Sequence, residues 1–299
     1  MKRLFLNAIM YNMIFKKTIF LSFLFFPVFV SADSVILMIG DGMGQNHLKC
    51  AEETQKLFIP TLPVQGTIHT RSANNAITDS AASATAYACG IKTNNNFLAK
   101  SPDRKDCLTI AEEATQKGLS VGIYSTDHTT GATPSAFYAH TSDRNNKAKI
   151  QRYKKEASKL MDIVVPVQKI SEIVSDKLEK ANRTGKDFFV LFEGHKIDSY
   201  SHKNKLEEMK QELYDFDLAV KKAAHFINNN PDITLIVLAD HETGGLTSDC
   251  KYTSDWHTGS DVFVYASGQH APLFKGPQDN TQIHHKIHKI LFNSDIKDK

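Results

Sequence analysis

The sequence alternates short, fully apolar runs with longer segments whose apolar residues recur at helical spacing. Six runs indicate buried strands: 34–40, 119–125, 162–165, 187–194, 233–240 and 261–267. Three segments between them indicate helices with charged outer faces: 107–118, 167–182 and 202–230. Alternation of strands and helices favours parallel pairing with helices on the faces of the sheet. The pattern therefore predicts an α/β fold with a mostly parallel central sheet.

The N-terminal segment has the features of a secretory signal peptide. Lys16 and Lys17 precede the apolar run "TIFLSFLFFPVFVSA", which ends in Val30-Ser31-Ala32. A basic start, a short apolar core and small residues before the cleavage point are typical of such signals. We predict that residues 1–32 are a signal peptide, with Met13 as an alternative start and an uncleaved anchor as the alternative interpretation. The remaining residues, 33–299, show no repeat or linker and are predicted to form a single domain, periplasmic or secreted.

The net charge of the chain depends on this segment. The full sequence holds 36 Lys and Arg against 33 Asp and Glu. Cleavage after Ala32 would remove Lys2, Arg3, Lys16 and Lys17 but no acidic residue, which leaves 32 basic residues against the 33 acidic ones. A nearly neutral protein gives no support for nucleic acid or an anionic membrane surface as a partner.

Four cysteines remain after such cleavage: Cys50, Cys89, Cys107 and Cys250. Exported proteins occupy compartments in which disulfides form. Four cysteines allow three full pairings, and the sequence leaves the choice open, although Cys89 and Cys107 are closest along the chain. Their spacings do not resemble those of a zinc ribbon.

Several predicted strands end in residues that can bind cations. Asp41 follows the first strand within "GDGMG", Glu193 closes the strand "FFVLFE", and Asp240-His241 follow "TLIVLA". In open α/β sheets, sites form at the carboxyl ends of the strands. A single such ending is equally explained by a turn or a helix cap. Three of them predict carboxylates that converge on cations.

Other segments add residues of the same chemistry. Asp198 and His202 are four apart in "EGHKIDSYSH", so one helical turn would place them on one face, either as zinc ligands or as a surface hydrogen bond. His257 precedes the last strand, and Thr133 precedes Pro134 at a helix start. Arg144 can make bidentate contacts with phosphate, although any single arginine is as readily a surface residue.

The segment "ITDSAASATAYACGIKT" (77–93) indicates a helix of small residues that begins near Asp79-Ser80. A serine at a helix start is either an N-cap or a nucleophile set on positive helix-end amides. No histidine lies close by in sequence to act as its base. As a nucleophile, Ser80 would therefore need a cation to help remove its proton.

Taken together, these motifs resemble the alkaline phosphatases. "GDGMG", "TDSAASATA", "ATPSAFYAHTSDR", "EGHKID…H", "ADHETGG" and "HTGS" occur in the order and context of that family, across essentially all of 33–299. The resemblance implies a three-layer αβα sandwich with two zinc ions and one magnesium ion. It also implies hydrolysis of phosphate monoesters through a phosphoserine intermediate that water then cleaves, with release of inorganic phosphate.

The resemblance assigns roles position by position. Ser80 corresponds to the nucleophile and Arg144 to the phosphate clamp. The ligands of the zinc that holds the nucleophile correspond to Asp41, Asp240 and His241. The ligands of the second zinc correspond to Asp198, His202 and His257, and those of magnesium to Asp41, Thr133 and Glu193. A pair of metal ions about 4 Å apart stabilises the attacking and leaving oxygens of an in-line displacement.

The chain departs from the family pattern in three places. Gly131 stands where many members carry Asp or His two residues before the threonine, and Ser199 follows Asp198 where Lys, His or Trp is common. These changes put magnesium affinity and rate in question, because residues behind a metal site affect affinity or activity by about 10–100-fold. Only fifteen residues separate His241 from His257. This short connection predicts an open site with broad specificity and a monomer or homodimer.

Three alternative functions agree less well with the sequence. A phosphodiesterase of the same superfamily would use similar metals but usually lacks the arginine clamp. A sulfatase needs a C/S-x-P-x-R context that "TDSAASAT" lacks. A phosphate- or metal-binding protein without turnover would not need Ser80. The C-terminal "HHKIH" (284–288) is predicted to be a solvated helix face.

Overall fold

The computed structural model describes residues 33–294. The predicted signal peptide and its alternative start lie outside the described residues. Within 33–294, no helix combines the length and the apolar character that crossing a membrane requires.

An eight-stranded sheet forms the centre of the molecule, in the order β10-β2-β9-β6-β1-β5-β3-β4. Its strands are β1 (Ser34–Gly40), β2 (Val64–His69), β3 (Ser120–Ser125), β4 (Asp162–Val164), β5 (Phe188–Gly194), β6 (Ile233–Leu238), β9 (Val262–Ser267) and β10 (Gly276–Asp279). Two short strands, β7 (Glu242–Thr243) and β8 (His257–Thr258), form a separate antiparallel pair. From β6 to β4 all neighbours are parallel. The predicted α/β fold with a mostly parallel sheet is confirmed.

Helices cover the sheet in two groups. Their bounds are α1 (Gln45–Glu52), α2 (Ser80–Cys89), α3 (Ile110–Gln116), α4 (Ala132–Ser135), α5 (Lys147–Ala157), α6 (Ile170–Asn182), α7 (Lys196–Ser201), α8 (Leu206–Asn228) and α9 (Asn280–Phe292). Helices α2, α3, α4 and α9 pack together, and α8 packs on α1, α6 and α7. Every residue of β1 and β5 is buried, which requires cover on both faces and accounts for their continuous apolar sequences.

Some elements differ from the sequence prediction. The helix predicted within 202–230 is α8, which begins four residues later, at Leu206, and ends at Asn228. Strand β9 runs antiparallel to both of its neighbours. In α9, His284 and His288 are buried, so the prediction of a solvated histidine face was wrong. Hydrophobic spacing identifies a helix, but a histidine can be on either face of it.

Two disulfides are present: Cys50 with Cys250 and Cys89 with Cys107. The first joins α1 to the loop after β7, and the second joins the end of α2 to the segment before α3. The pairing of the two cysteines closest along the chain is thus the one observed.

Candidate active site

The carboxyl ends of three adjacent strands bring the first group of predicted residues together. In the β6-β1-β5 register, Ile39 pairs with both Leu238 and Glu193, so Asp41, Asp240 and Glu193 emerge at one edge. The Nε2 atom of His241 is 3.4 Å from Oδ1 of Asp41 and 3.3 Å from Oδ2 of Asp240. The side chains of Asp41, Asp240 and His241 are buried and present ligand atoms within 4.8 Å of one another. The spacing suits a divalent cation.

The second predicted group also assembles. Oδ1 of Asp198 is 3.3 Å from Nε2 of His202 and 3.7 Å from Nε2 of His257, and the two Nε2 atoms are 3.2 Å apart. Nδ1 of His202 faces the carbonyl of Asp255 at 2.6 Å, and Nδ1 of His257 faces that of Thr78 at 3.0 Å. Because a carbonyl only accepts hydrogen bonds, it fixes the proton on Nδ1 and leaves Nε2 with its lone pair toward Asp198.

The third predicted group contains buried oxygens that have no hydrogen-bond partner among the described residues. Oε1 of Glu193, Oγ1 of Thr133 and Oδ1 of Asp41 are buried without a hydrogen bond among the described residues, as is Oδ2 of Asp240. The other Glu193 oxygen accepts a short hydrogen bond from the Ser125 hydroxyl. The Thr133 hydroxyl lies near Glu193 but forms no hydrogen bond with it. Buried oxygens without partners are costly, so these four atoms fit a role as cation ligands.

Ser80 lies at the N-terminus of α2, next to the first group. It is the first residue of α2, and the cap is Asp79, whose Oδ1 accepts a hydrogen bond from the Ala82 amide at 2.9 Å. The N-cap alternative for Ser80 was therefore wrong. Its Oγ is 3.2 Å from Nε2 of His241. The hydroxyl is thus held beside an imidazole that also belongs to the first cation-binding group.

The small residues of α2 let this helix approach the end of β6 closely. The Ser83 hydroxyl donates to the carbonyl of Asp240 at 2.8 Å, and the Tyr87 hydroxyl donates to that of Ala239 at 2.7 Å. Every residue from Ser80 to Ala88 is buried, and all of them except Tyr87 have small side chains. Gly90 adopts φ 70° and ends the helix in the left-handed conformation.

The side chains of Arg144 and Trp256 lie at the opening of the site. Arg144 Nη1 is 3.1 Å from Oδ2 of Asp79, which also accepts a hydrogen bond from the Asn96 amide at 3.0 Å. Asp79 therefore caps α2 and orients the guanidinium beside Ser80. Trp256 is 61% exposed and stacks on His257, with ring centroids 5.1 Å apart. This ring lines the mouth of the site.

Without bound cations, burial and mutual repulsion disfavour negative charge at the strand ends. Burial raises the pKa of Asp41 well above its ordinary value, and the charges of Asp240, Asp198 and Glu193 raise it further. Burial also raises the pKa of Asp240 to about 6 and that of Glu193 well above its ordinary value. Cations would reverse these effects, because an adjacent positive charge favours the carboxylate.

Burial shifts the pKa of the buried histidines downward, in the opposite direction to the pKa of these carboxyls. Burial lowers the pKa of His241 and of His257 to about 4, so both rings are neutral at neutral pH and keep a lone pair for a cation. Burial would raise the pKa of Asp198, but the hydrogen bond with His202 and, in the acid range where they are protonated, the charges of the neighbouring histidines outweigh it and lower that pKa.

Sequence reasoning missed two residues in the site, Asp127 and His195. Asp127 comes two residues after β3, and His195 directly follows β5. Together with Glu193 they present ligand atoms within 4.8 Å of one another. The strand-end rule that selected Asp41 and Asp240 could have found both, since each lies within two residues of a carboxyl end.

The chain resembles known proteins along most of its length. The family profile described as "Alkaline phosphatase" matches residues 32–171, 166–253 and 246–292. Alkaline phosphatase 4 of Bacillus subtilis is 26% identical over 75% of this chain and 64% of its own length. The alkaline phosphatase of Schizosaccharomyces pombe is 29% identical over 71% of this chain and 56% of its own length. The chain therefore spans less than two thirds of these relatives.

Solved structures show the same fold. The alkaline phosphatase from the Antarctic bacterium TAB5 superposes with a TM-score of 0.81 at 24% identity, covering 87% of this chain and 98% of that one. That from Thermus thermophilus superposes with a TM-score of 0.78 at 17% identity, covering 88% and 92%. With the family profile matched along nearly all of the described residues, the chain belongs to the alkaline phosphatase family.

Proposed function

We propose that this protein is an exported alkaline phosphatase that hydrolyses phosphate monoesters through a phosphoserine on Ser80. The observation that carries the proposal is the position of the Ser80 hydroxyl. Its Oγ lies at the start of α2, 3.2 Å from Nε2 of His241. His241 belongs, with Asp41 and Asp240, to a buried group whose ligand atoms suit a cation. A structural serine has no need of such a setting, whereas a nucleophile does.

The residues present fit two zinc ions and one magnesium ion. One zinc would be held by Asp41, Asp240 and His241, and the other by Asp198, His202 and His257. Magnesium would be held by Asp41, Thr133 and Glu193. Bound cations neutralise the buried carboxylates, lower the pKa of a hydroxyl or of water, and stabilise charge on a leaving oxygen.

The chain's own residues account for the remaining requirements. Helix α2 holds Ser80 Oγ in place for attack on phosphorus, and the new Oγ–P bond forms as the bond to the ester oxygen breaks. The proton lost from Ser80 is balanced by the proton gained by the departing alcohol. Water then cleaves the phosphoserine, which releases inorganic phosphate and restores the hydroxyl.

Arg144 and the first-turn amides of α2 supply the phosphate contacts. The guanidinium is held toward Ser80 by Asp79 at 3.1 Å. Helix N-termini favour anions because their amides and dipole point at the ligand. Arginine pairs bidentately with phosphate oxygens, so the same clamp would hold the ester and the released phosphate.

The proposed location, periplasmic or secreted, is supported by the two disulfides and by the predicted signal at 1–32. We propose small phosphate monoesters as partners, no nucleic acid, and no stable membrane insertion once the signal is removed. We propose a monomer or homodimer, and size-exclusion chromatography with light scattering would distinguish the two.

The test compares wild type, Ser80→Ala and the exposed control Ser248→Ala on a monoester and a diester, with zinc and magnesium present. We expect Ser80→Ala to lose at least about 10³-fold in monoester turnover. Mass spectrometry of acid-quenched wild type should show one added phosphoryl group, absent from Ser80→Ala.

Each alternative gives a different result. Equal turnover by wild type and Ser80→Ala would contradict the nucleophile assignment. Faster cleavage of the diester would indicate a phosphodiesterase. Wild type that binds the cations and turns over neither ester would indicate a binding protein.

A further inference from the structure

Asp127 and His195 complete the third cation group in a way that the predicted ligand set does not describe. Nδ1 of His195 is 2.9 Å from Oδ2 of Asp41, and its Nε2 is 3.4 Å from Oδ1 of Asp127. The imidazole therefore bridges two carboxylates from different strand ends. In the strand order β1-β5-β3, the three residues follow successive neighbours in the sheet.

Gly131 leaves the space that the Asp127 carboxylate occupies. A Cβ atom at residue 131 would lie 1.8 Å from Oδ2 of Asp127, far inside van der Waals contact. The backbone there has φ −55° and ψ 145°, a conformation open to any residue. The glycine is therefore needed for the room it gives Asp127, and not for its backbone freedom.

Ser199 contacts the other member of the pair. Its Oγ is 3.0 Å from Nε2 of His195. Gly131 and Ser199 thus both lie against the Asp127–His195 pair.

Buried oxygens without hydrogen-bond partners indicate that this group needs a cation. Oε1 of Glu193 and Oγ1 of Thr133 are fully buried and form no hydrogen bond among residues 33–294. Asp127, Glu193 and one nitrogen of His195 lie within 4.8 Å of one another. With Nδ1 of His195 against the acceptor Asp41, Nε2 of the neutral ring keeps a lone pair that faces both the Ser199 hydroxyl at 3.0 Å and Oδ1 of Asp127 at 3.4 Å. Two lone pairs that face each other favour a cation between them.

We propose that Asp127 and His195 are ligands of the third cation, and that this site prefers Zn²⁺ to Mg²⁺. The inference rests on the proposed function and changes the identity of one of its cations. Magnesium selects oxygen ligands and keeps several waters, whereas an imidazole among carboxylates suits zinc. The competing interpretation is a protonated His195 that ties Asp41 to Asp127 and binds no metal.

The first experiment measures metal content. Wild type is dialysed against equimolar zinc and magnesium, separated from free metal, and analysed by mass spectrometry of the elements. We expect a third zinc ion per chain in wild type and its loss in Asp127→Asn and His195→Gln. The matched control is the exposed pair His69 and Asp261, whose side chains are 2.6 Å apart, substituted in the same way and retaining wild-type content.

A compensating pair of substitutions tests the geometry. Gly131→Asp alone should clash with Asp127, lose the third cation and lower Tm. Combined with Asp127→Gly, it should recover the third cation, since a carboxylate again occupies that space. Failure of the double variant to recover it would contradict the geometric part of the proposal.

Other results overturn the assignment directly. Wild type with magnesium in the third site would reject the zinc preference, and this measurement needs no variant to fold. Unchanged zinc content in folded Asp127→Asn and His195→Gln would leave the pair as a structural ion pair. Failure of the proposed function is separable, because Ser80→Ala should abolish the phosphoserine and still keep the third zinc.

Discussion

Two acidic regions of the molecule handle negative charge in opposite ways. On the edge strand β4, Oδ2 of Asp162 is 3.2 Å from the Lys177 ammonium, 2.8 Å from that of Lys180 and 2.9 Å from the Tyr124 hydroxyl. Burial would raise the pKa of Asp162, but these partners outweigh it and lower that pKa. This carboxylate has its cations built into the chain.

The carboxylates at the ends of β1 and β6 have no such partners. Among the described residues, the ion-pair partners of Asp41 are His195 and His241, and that of Asp240 is His241. Both aspartates are fully buried, and burial raises the pKa of each. Burying charge without pairing is strongly unfavourable. The comparison shows that the strand-end region is built for cations supplied from outside the chain.

Removal of the bound metal ions is expected to give the largest difference between the strand-end region and the Asp162 region. Chelation followed by dialysis should lower monoester turnover by at least about 10³-fold, because the displacement loses its charge stabilisation. Tm should fall as well, because the buried carboxylates lose their counter-charges. Turnover and Tm should return when zinc and magnesium are restored. Asp162→Asn should respond in the same way as wild type, and turnover that survives chelation would contradict a metal-dependent site.

Substitution of Asp240 should change stability with opposite sign in the two metal states. Without cations, Asp240→Asn should raise the free energy of unfolding by roughly 1–3 kcal/mol, because it removes a repelling buried charge while Oδ1 still accepts from the Gly42 and His241 amides. With cations present, it should lower the free energy of unfolding through loss of a ligand. Urea unfolding in both states measures this, with the exposed Asp103→Asn as control. The same sign in both states would contradict the prediction.

Asp240 should destabilise the metal-free protein progressively as pH rises from about 4 to about 6. Over this range the unfolded state releases the Asp240 proton, whereas the folded state retains it because burial raises its pKa to about 6. This one group therefore lowers the free energy of unfolding by about 2 kcal/mol across the range. The buried histidines act in the opposite direction, because burial lowers the pKa of His241 and of His257 to about 4, so the prediction concerns the difference between wild type and Asp240→Asn. Urea midpoints should show the stability advantage of metal-free Asp240→Asn over wild type growing with pH over this range, and a difference that stays constant or shrinks would contradict it.

The smallest effect is expected at the paired region. Asp162→Asn should lower the free energy of unfolding by at most about 1 kcal/mol, because partly exposed ion pairs contribute little. The loss should shrink at high salt, since screening weakens the wild-type pairs. Urea unfolding should show the same loss of the free energy of unfolding with and without bound metal. A metal-dependent loss would show that the two regions are coupled.

Strand ends could be predicted from sequence because the signal is local. Asp41, Glu193 and Asp240-His241 each terminate or follow an apolar run, and the rule for parallel sheets places such ends at one edge. Asp127 after β3 and His195 after β5 obey the same rule. The antiparallel β9 was also missed, since an apolar run carries no information about strand direction.

The sequence by itself determined the α/β fold, the strand-end carboxylates and the serine at the start of α2, because these follow from apolar periodicity and from residues adjacent in the chain. Only the tertiary structure decided that Asp79 caps α2, that Cys50 pairs with Cys250, and that Asp127 occupies the space above Gly131 beside His195. These contacts depend on which strands are neighbours and on where side chains find room. Distances between residues far apart in the chain are set by packing, and no local pattern records them.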